Sequence, residues 1–404
     1  MSLAPTVKVV LHTLRHELAE RVRRTARRGN HAAAPLRIGV DIRPFYEPLT
    51  GIGWYLHHLL HEFARRDDIE LVLFGDARAT DDGPRLHTEL PANARTLVFD
   101  LRHQPLSRLS RAITAGAYVG LLEASGVDLV FGSNYFLPRL HSAVARRRVI
   151  TVHDLTFKRF PELLQQETLV NLDRHMKREL AWADAVICVS ESTRRDLLQF
   201  YDIDPSRAVT VLSGLADPVA GAPVHGLPER YLLFVSTIEP RKNLTVLLDA
   251  YRRLRQTGAY NGSLVIVGRV GWKSESILSR LREEGIVHLD YVQPEQLATI
   301  YAKAEAFVFP SIYEGFGFPL LEAMAHGVPT IAANSSSLPE VGGDATLYFE
   351  PQDARGLEAQ LRRLLVDPEL RSSLVARGRK RVAQFRWSRA ADETLDVFRR
   401  VAGA

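Results

Sequence analysis

Several kinds of chemistry are excluded by what this chain lacks. Its 404 residues include a single cysteine, Cys188, so no internal disulfide can form, and the surrounding run AVICVS marks it as core rather than ligand or nucleophile. That usage points to a reducing compartment. No apolar stretch reaches the 18 or so residues expected of a membrane-crossing helix, and the N-terminus lacks the continuous apolar core of a signal peptide. The expectation is a soluble, cytoplasmic protein. Metal-ligand spacings are missing too. Asp202-Ile-Asp204 imitates an acidic metal pair, but it sits between a helical pattern and Pro205-Ser206, where Asp serves turns and caps. No metal and no cofactor are expected.

An excess of one charge is also missing from most of the chain. Seven bases (Lys8, Arg15, Arg21, Arg23, Arg24, Arg27, Arg28) against two acids (Glu17, Glu20) precede Leu36, an excess of five that equals the formal net charge of the whole chain. The remainder is balanced, so nucleic acid is not an expected partner. Val7, Val10, Leu11, Leu14, Leu18 and Val22 recur at helical spacing in the same segment. A basic amphipathic helix of this kind either rests on an anionic membrane surface, here through residues 7–28, or packs on its own fold. Residues 29–35 read as a joint.

What is present is globular: 46% hydrophobic and 25% charged residues, in a chain long enough for two or three domains. Short apolar runs at 37–42, 70–74, 96–99, 128–131, 149–152, 185–189 and 209–212 alternate with helical patterns at 54–65, 106–124, 167–181 and 191–200, the last with Ser190 as N-cap. A stretch rich in Gly, Pro and Ala then joins a second alternation. Its strands are expected at 231–235, 263–267, 287–289, 306–309, 330–333 and 346–349. Its helices are expected at 244–255, 275–283, 294–303, 320–325 and 357–365, with two more at 369–381 and 389–401. The pattern predicts an α/β protein of two Rossmann-like, doubly wound parallel-sheet domains. The divisions are 1–36 basic helix and joint, 37–215 first domain, 216–228 linker, 229–385 second domain and 386–404 terminal helix.

Ligands of parallel sheets bind beyond the carboxyl ends of the strands, and the chemistry-bearing residues cluster there. Phe309 to Pro329 reads as a strand end, a glycine loop (Gly315, Gly317) and a helix with Pro319 at its start and Gly327 as its left-handed cap. Glu314 and Glu322 bracket the turn. An ionised carboxylate is acceptor-only and suits vicinal hydroxyls, while the helix N-terminus between them suits phosphate. The plain alternative is an acidic loop before an ordinary amphipathic helix. The loop 236–243 carries Arg241 and Lys242 ahead of a helix that Asn243 can cap, cations placed for a diphosphate. Gly51 and Gly53 precede a helix, where backbone can approach a ligand. His153 follows the strand 149–152 directly, and Asp154 either fixes its tautomer or caps the next turn.

The segment EGFGFPLLE, with FVFPS before it and EAMAHGVPTIAA after it, resembles the Glu–seven residues–Glu signature of retaining glycosyltransferases of family 4, which have the GT-B fold. The resemblance implies a central cleft between the domains and a last helix, in FRWSRAADETLDVFRR, crossing back onto the first. It implies His153, Glu314 and Lys242 as the catalytic set. For donor binding it implies Gly51, Gly53, Arg241, Lys242, Glu314, Gly315, Phe316, Gly317, Phe318 and Glu322, with Val292 lining the base through backbone. Many members carry an arginine where this chain has Ser236-Thr237, which leaves open whether Arg241 takes that role. TIEPRKN and VGRVGW look most like bacterial mannosyltransferases of surface-polysaccharide assembly. The leading donor implied is therefore GDP-mannose, with UDP-sugars and other deoxysugar donors as alternatives, and the acceptor a saccharide or lipid-linked saccharide, the enzyme lying at the inner face of the cytoplasmic membrane if residues 7–28 dock there. A GT-B-type sugar-nucleotide epimerase and a non-catalytic sugar-nucleotide-binding module are the alternatives.

Overall fold

The structure is a computed structural model that describes residues 34–77, 86–100, 120, 123–135, 137, 147–163, 166–271 and 274–403. The predicted basic helix at 7–28 and nearly all of the predicted helix at 106–124 lie outside them. Among the described residues, thirteen strands form two parallel sheets. The first holds β1 (Leu36–Asp41), β2 (Ile69–Ala77), β3 (Arg95–Asp100), β4 (Leu129–Gly132), β5 (Arg148–Val152), β6 (Ala185–Cys188) and β7 (Ala208–Thr210), in the order β3-β2-β1-β4-β5-β6-β7. The second holds β8 (Tyr231–Val235), β9 (Ser263–Val267), β10 (Ile286–Leu289), β11 (Ala306–Phe309), β12 (Thr330–Ala333) and β13 (Thr346–Phe349), in the order β10-β9-β8-β11-β12-β13. The central strands are buried along their length, as β1, β4, β6, β11 and β12 are, because helices cover both faces.

Strand order reverses between β1 and β4 in the first sheet and between β8 and β11 in the second. A crevice opens at such a switch point, outside the carboxyl ends of the two diverging strands. The register pairs Ala306 with Leu232 and Phe307 with Leu233, so the loops after β8 and β11 emerge side by side. Those loops carry Arg241, Lys242 and Glu314.

The principal helices are α1 (Gly51–Phe63), α2 (Gln166–Trp182), α3 (Glu191–Phe200), α4 (Leu244–Gln256), α5 (Pro294–Lys303), α6 (Phe318–Ala325), α7 (Leu338–Gly342), α8 (Ala354–Val366), α9 (Pro368–Val382) and α10 (Trp387–Ala402). Several departures from the sequence reading have simple causes. The first helix starts at Gly51 rather than Trp54, placing both glycines in its opening turn instead of a loop before it. Predicted helix 275–283 is a single turn, Glu275–Leu278, followed by a 3₁₀ turn at Arg280–Arg282, since so short a segment has little helical stability of its own. Helix α7 was not foreseen: five residues are too few to show a period. Asn243 does not cap α4. Its backbone is left-handed (φ 55°) and its amide instead donates to the carbonyls of Pro310 and Pro351, at 3.0 and 2.6 Å. Ser190 caps α3 through Thr193 N–H as expected, and Asp204 caps its turn through Ser206 N–H.

Helix α10 crosses back to the first sheet's side. Phe398 packs its ring 5.8 Å from Phe63 and 5.1 Å from Phe131, and ion pairs join Arg66 to Asp392 and Arg399 to Asp68 at 2.7 and 2.8 Å. Gly214, just after the first sheet, lies so close to the Trp387 backbone that a Cβ would collide with it. Leu215 N–H donates to Phe385 O at 3.0 Å. The two passages between lobes therefore run against each other.

Candidate active site

The second lobe contributes a compact charged cluster. Lys242 Nζ lies 2.6 Å from Glu314 Oε1, and an Arg241 amino group 2.8 Å from Glu314 Oε2. Arg241 also reaches Glu239 Oε1 with two nitrogens, at 3.0 and 2.7 Å, and Tyr313 O at 2.8 Å. Glu239, Lys242 and Glu314 are all at most 8% exposed. Burial raises the Glu314 carboxyl, but attraction from Arg241 and Lys242 outweighs it and holds the group at about 2. Burial likewise pulls the Lys242 ammonium down against the attraction of Glu314.

This pairing adds to the sequence reading, which named cations for phosphate and a carboxylate for sugar without joining them to each other. A buried ion must have a counter-ion, and here two glutamates and two bases neutralise one another. Arg241 in particular spends its donors on Glu239, Tyr313 and Glu314, and serves as a brace between the two loops; Ile312 N–H also donates to Arg241 O at 3.0 Å. Lys242 is the base with donors left over, having three N–H groups and one bonded partner among the described residues.

The Glu314 turn is held by the loop after β12. Ser336 Oγ accepts from Glu314 N–H at 2.8 Å, and Ser337 Oγ contacts Glu314 O and Phe316 O at 2.9 and 2.7 Å. Gly317 has φ 113°, a conformation that side chains resist, and opens α6. Phe316 is buried against the rings of Phe318 and Phe385, at 4.9 and 5.8 Å, so it can offer a ligand only its backbone. Phe318 and Pro319 occupy the first turn of α6, and Gly327 takes the left-handed cap at φ 73°. Glu322 sits a turn along α6, half-buried, with Tyr301 OH donating to Oε2 at 2.9 Å; burial raises its carboxyl, opposed by that bond. Val292 lies in the short loop between β10 and α5.

The first lobe faces this cluster with His153, directly beyond β5. Its Nε2 is 2.7 Å from Ser133 O. A carbonyl only accepts, so Nε2 carries the proton and Nδ1, without a partner among the described residues, is left to accept. Burial pulls the imidazole below the ordinary histidine range, which keeps it neutral near pH 7. Asp154 does not fix the tautomer: its Oδ1 accepts from Thr156 N–H at 2.9 Å and starts the next turn. Tyr55 of α1 packs edge-on to His153 at 5.0 Å. Of the two glycines before it, Gly53 lies close to Leu49, whose side-chain end would have to shift to admit a Cβ at 2.9 Å, whereas a Cβ on Gly51 would meet nothing within 4 Å.

The lobes touch at the site. A Cβ on Gly315 would collide with His153 O, so this glycine permits the close approach. Thr193 Oγ1 lies 3.3 Å from both His153 O and Gly315 O. Tyr313 OH donates to Asp196 Oδ2 at 2.7 Å and accepts from Leu155 N–H at 3.1 Å. The Glu340 carboxylate caps α3 from across the gap, accepting from Glu191 and Ser192 N–H at 2.8 and 3.2 Å. Sequence reasoning missed Ser133, Thr193, Tyr313 and Glu340. Tyr313 adjoins Glu314 in the glycine loop; Ser133 acts from the neighbouring strand of the same sheet, and Thr193 and Glu340 act between the lobes, so none of these three leaves a local pattern. Among the described residues, no three His, Cys, Asp or Glu come together as a metal site.

Comparison with known proteins gives a consistent picture. A family described as glycosyl transferases group 1 matches residues 222–381, and one described as glycosyltransferase family 4 matches residues 49–216. The chain is similar to O-antigen chain mannosyltransferase B of Escherichia coli, 33% identical over 385 residues, or 90% of this chain and 100% of the relative. It is also similar to the MMP alpha-(1->4)-mannosyltransferase of Mycolicibacterium hassiacum, 29% identical over 64% of each chain. Among solved structures, sucrose-phosphate synthase from Thermosynechococcus elongatus superposes with a TM-score of 0.69 at 22% identity, covering 90% of this chain and 98% of that one. Anabaena HepE, in complex with UDP, superposes with a TM-score of 0.66 at 16% identity, covering 90% and 99%.

Proposed function

The chain belongs to the family 4 glycosyltransferases of GT-B fold, and from that premise we propose that it moves mannose from GDP-mannose to a saccharide or lipid-linked saccharide acceptor with retention of configuration and without a metal. It is a glycosyltransferase with mannosyltransferase relatives in polysaccharide synthesis; the donor, the stereochemistry and the residue roles are our reading. One observation carries it: the Lys242–Glu314 pair sits at the switch point of the second sheet with Gly315 pressed against His153 of the first.

In this reading the diphosphate lies at the opening turn of α6, beside Lys242. The C1–oxygen bond breaks with its electron pair passing to the diphosphate, whose growing charge is met by fixed donors: the Lys242 ammonium and backbone N–H groups at the α6 N-terminus. The acceptor oxygen bonds C1 on the same face, and its proton goes to the departing phosphate. The acceptance of hexose hydroxyls falls to Glu314, that of the ribose to Glu322, and neutral His153 approaches the hexose through Nδ1. Lobe contact at Gly315 excludes water, which would otherwise hydrolyse the donor.

Incubation with a panel of sugar nucleotides, following nucleoside diphosphate release with and without a mannosyl acceptor, tests the proposal. Acceptor-dependent release from GDP-mannose is expected. Isomerised sugar nucleotide without release would mean an epimerase, and binding without turnover a non-catalytic module.

A further inference from the structure

At the first-lobe end of the crevice, two buried polar atoms have no hydrogen-bond partner among the described residues. Strand β4 borders the switch point, and the turn Ser133–Tyr135 leaves its carboxyl end. Ser133 is 1% exposed. Its hydroxyl and the Asn134 side-chain oxygen are buried and, among the described residues, without a hydrogen-bond partner. The next residue, Tyr135, is held at φ 33°, a conformation costly for a bulky side chain. It is fixed there by Tyr135 N–H to Thr151 O at 2.9 Å and by Asp154 N–H to its hydroxyl at 3.3 Å. The same turn supplies the carbonyl that orients His153.

Leaving buried polar atoms unpaired is destabilising, and such atoms in a native structure call for an explanation. Two orphan oxygens on a strained turn that also sets the site histidine match a surface completed by substrate. We propose that Asn134, with the Ser133 hydroxyl beside it, is a sugar-hydroxyl binding position: its amide oxygen accepts a hydrogen bond from a hydroxyl of a sugar in the crevice, next to His153. This rests on the glycosyltransferase reading and deepens it. The hydroxyl belongs either to the transferred hexose or to the terminal sugar of the acceptor, which present the same chemistry.

The test compares the full-length parent with Asn134→Ala, Asn134→Asp and Ser133→Ala. GDP and GDP-mannose are titrated calorimetrically, and transfer to octyl α-mannoside is followed at saturating donor. Asn134→Ala should bind GDP like the parent while losing about tenfold, the worth of one hydrogen bond, in one of two places. Loss in GDP-mannose affinity assigns the hydroxyl to the hexose; a raised KM for octyl α-mannoside with donor affinity intact assigns it to the acceptor. Asn134→Asp keeps the accepting oxygen and should recover to within about threefold. Ser133→Ala should weaken the same parameter as Asn134→Ala and carries the test if that variant does not fold. Indifference of Asn134→Ala in both parameters, or equal damage in Asn134→Asp, overturns the proposal while the glycosyltransferase reading stands. A parent that binds no sugar nucleotide overturns both.

Discussion

Lys242 illustrates how a single side chain can be legible in sequence while its partner is not. A base ahead of a helix at a strand end is placed for phosphate, yet burial at 8% exposure obliges it to find a counter-ion, and Glu314 supplies it at 2.6 Å. The pair is consistent with function because the ammonium has further donors to offer. Lys242→Ala should lower kcat on the order of 10²-fold, the usual loss for a transition-state donor, with thermal stability measured alongside; intact turnover would remove it from the site. Glu314 also makes a pH prediction. Its folded carboxyl sits at about 2 against an ordinary 4.5, so the stability it contributes is present above pH 4.5 and lost as pH falls towards 2. The magnitude is on the order of 3 kcal/mol. In denaturant titrations the advantage of the parent over Glu314→Gln should be flat above pH 5 and shrink below it. Cys188, by contrast, is what AVICVS suggested: buried, its thiol pushed up to about 12 by desolvation, and inert by that measure.

At the scale of elements, the glycine loop and the strand ends explain why the site exists where it does. β8 and β11 are neighbours in the sheet although 70-odd residues apart in the chain, so two loops with no sequence proximity converge. The glycines divide by role: Gly317 is demanded by its backbone and Gly315 by the opposing lobe. Gly315→Ala should therefore leave each lobe folded but push the loop off His153. Turnover should drop at least tenfold, as expected when reacting groups are displaced by about 1 Å, while GDP affinity measured by calorimetry changes little. Glu340 caps α3 from the other lobe, satisfying two N–H groups that no intrahelical carbonyl can reach. Replacing it with alanine should cost about 1 kcal/mol in chemical denaturation. No measurable cost would mean the cap is not stabilising.

Across the whole molecule, the helix α10 and the passage at Gly214–Leu215 tie two lobes whose facing loops must meet for the proposed reaction. The Phe398 contacts and the two ion pairs fasten α10 to the first lobe, and Gly214 lets the two passages run in contact. No helix among the described residues is long and apolar enough to cross a membrane. The basic segment before Leu36 is the candidate in the sequence for docking on an anionic membrane surface, where a lipid-linked acceptor would lie. Deleting residues 1–30 should preserve transfer to a short soluble acceptor and reduce sedimentation with anionic liposomes. Unchanged sedimentation would dismiss the segment as a membrane contact.

The sequence alone determined the repeating strand–helix alternation, nearly all strand positions and the candidate loops, because period, turn residues and strand-end placement are local properties. The tertiary structure decided which loops share a crevice. It showed that Lys242 and Arg241 are neutralised by Glu239 and Glu314, that Ser133 rather than Asp154 orients His153, and that Glu340 and Thr193 bridge the lobes. Those outcomes follow from strand order and burial, which join residues far apart in the chain. A buried charge or imidazole takes whatever partner the fold places within about 3 Å, and no spacing along the chain encodes that choice.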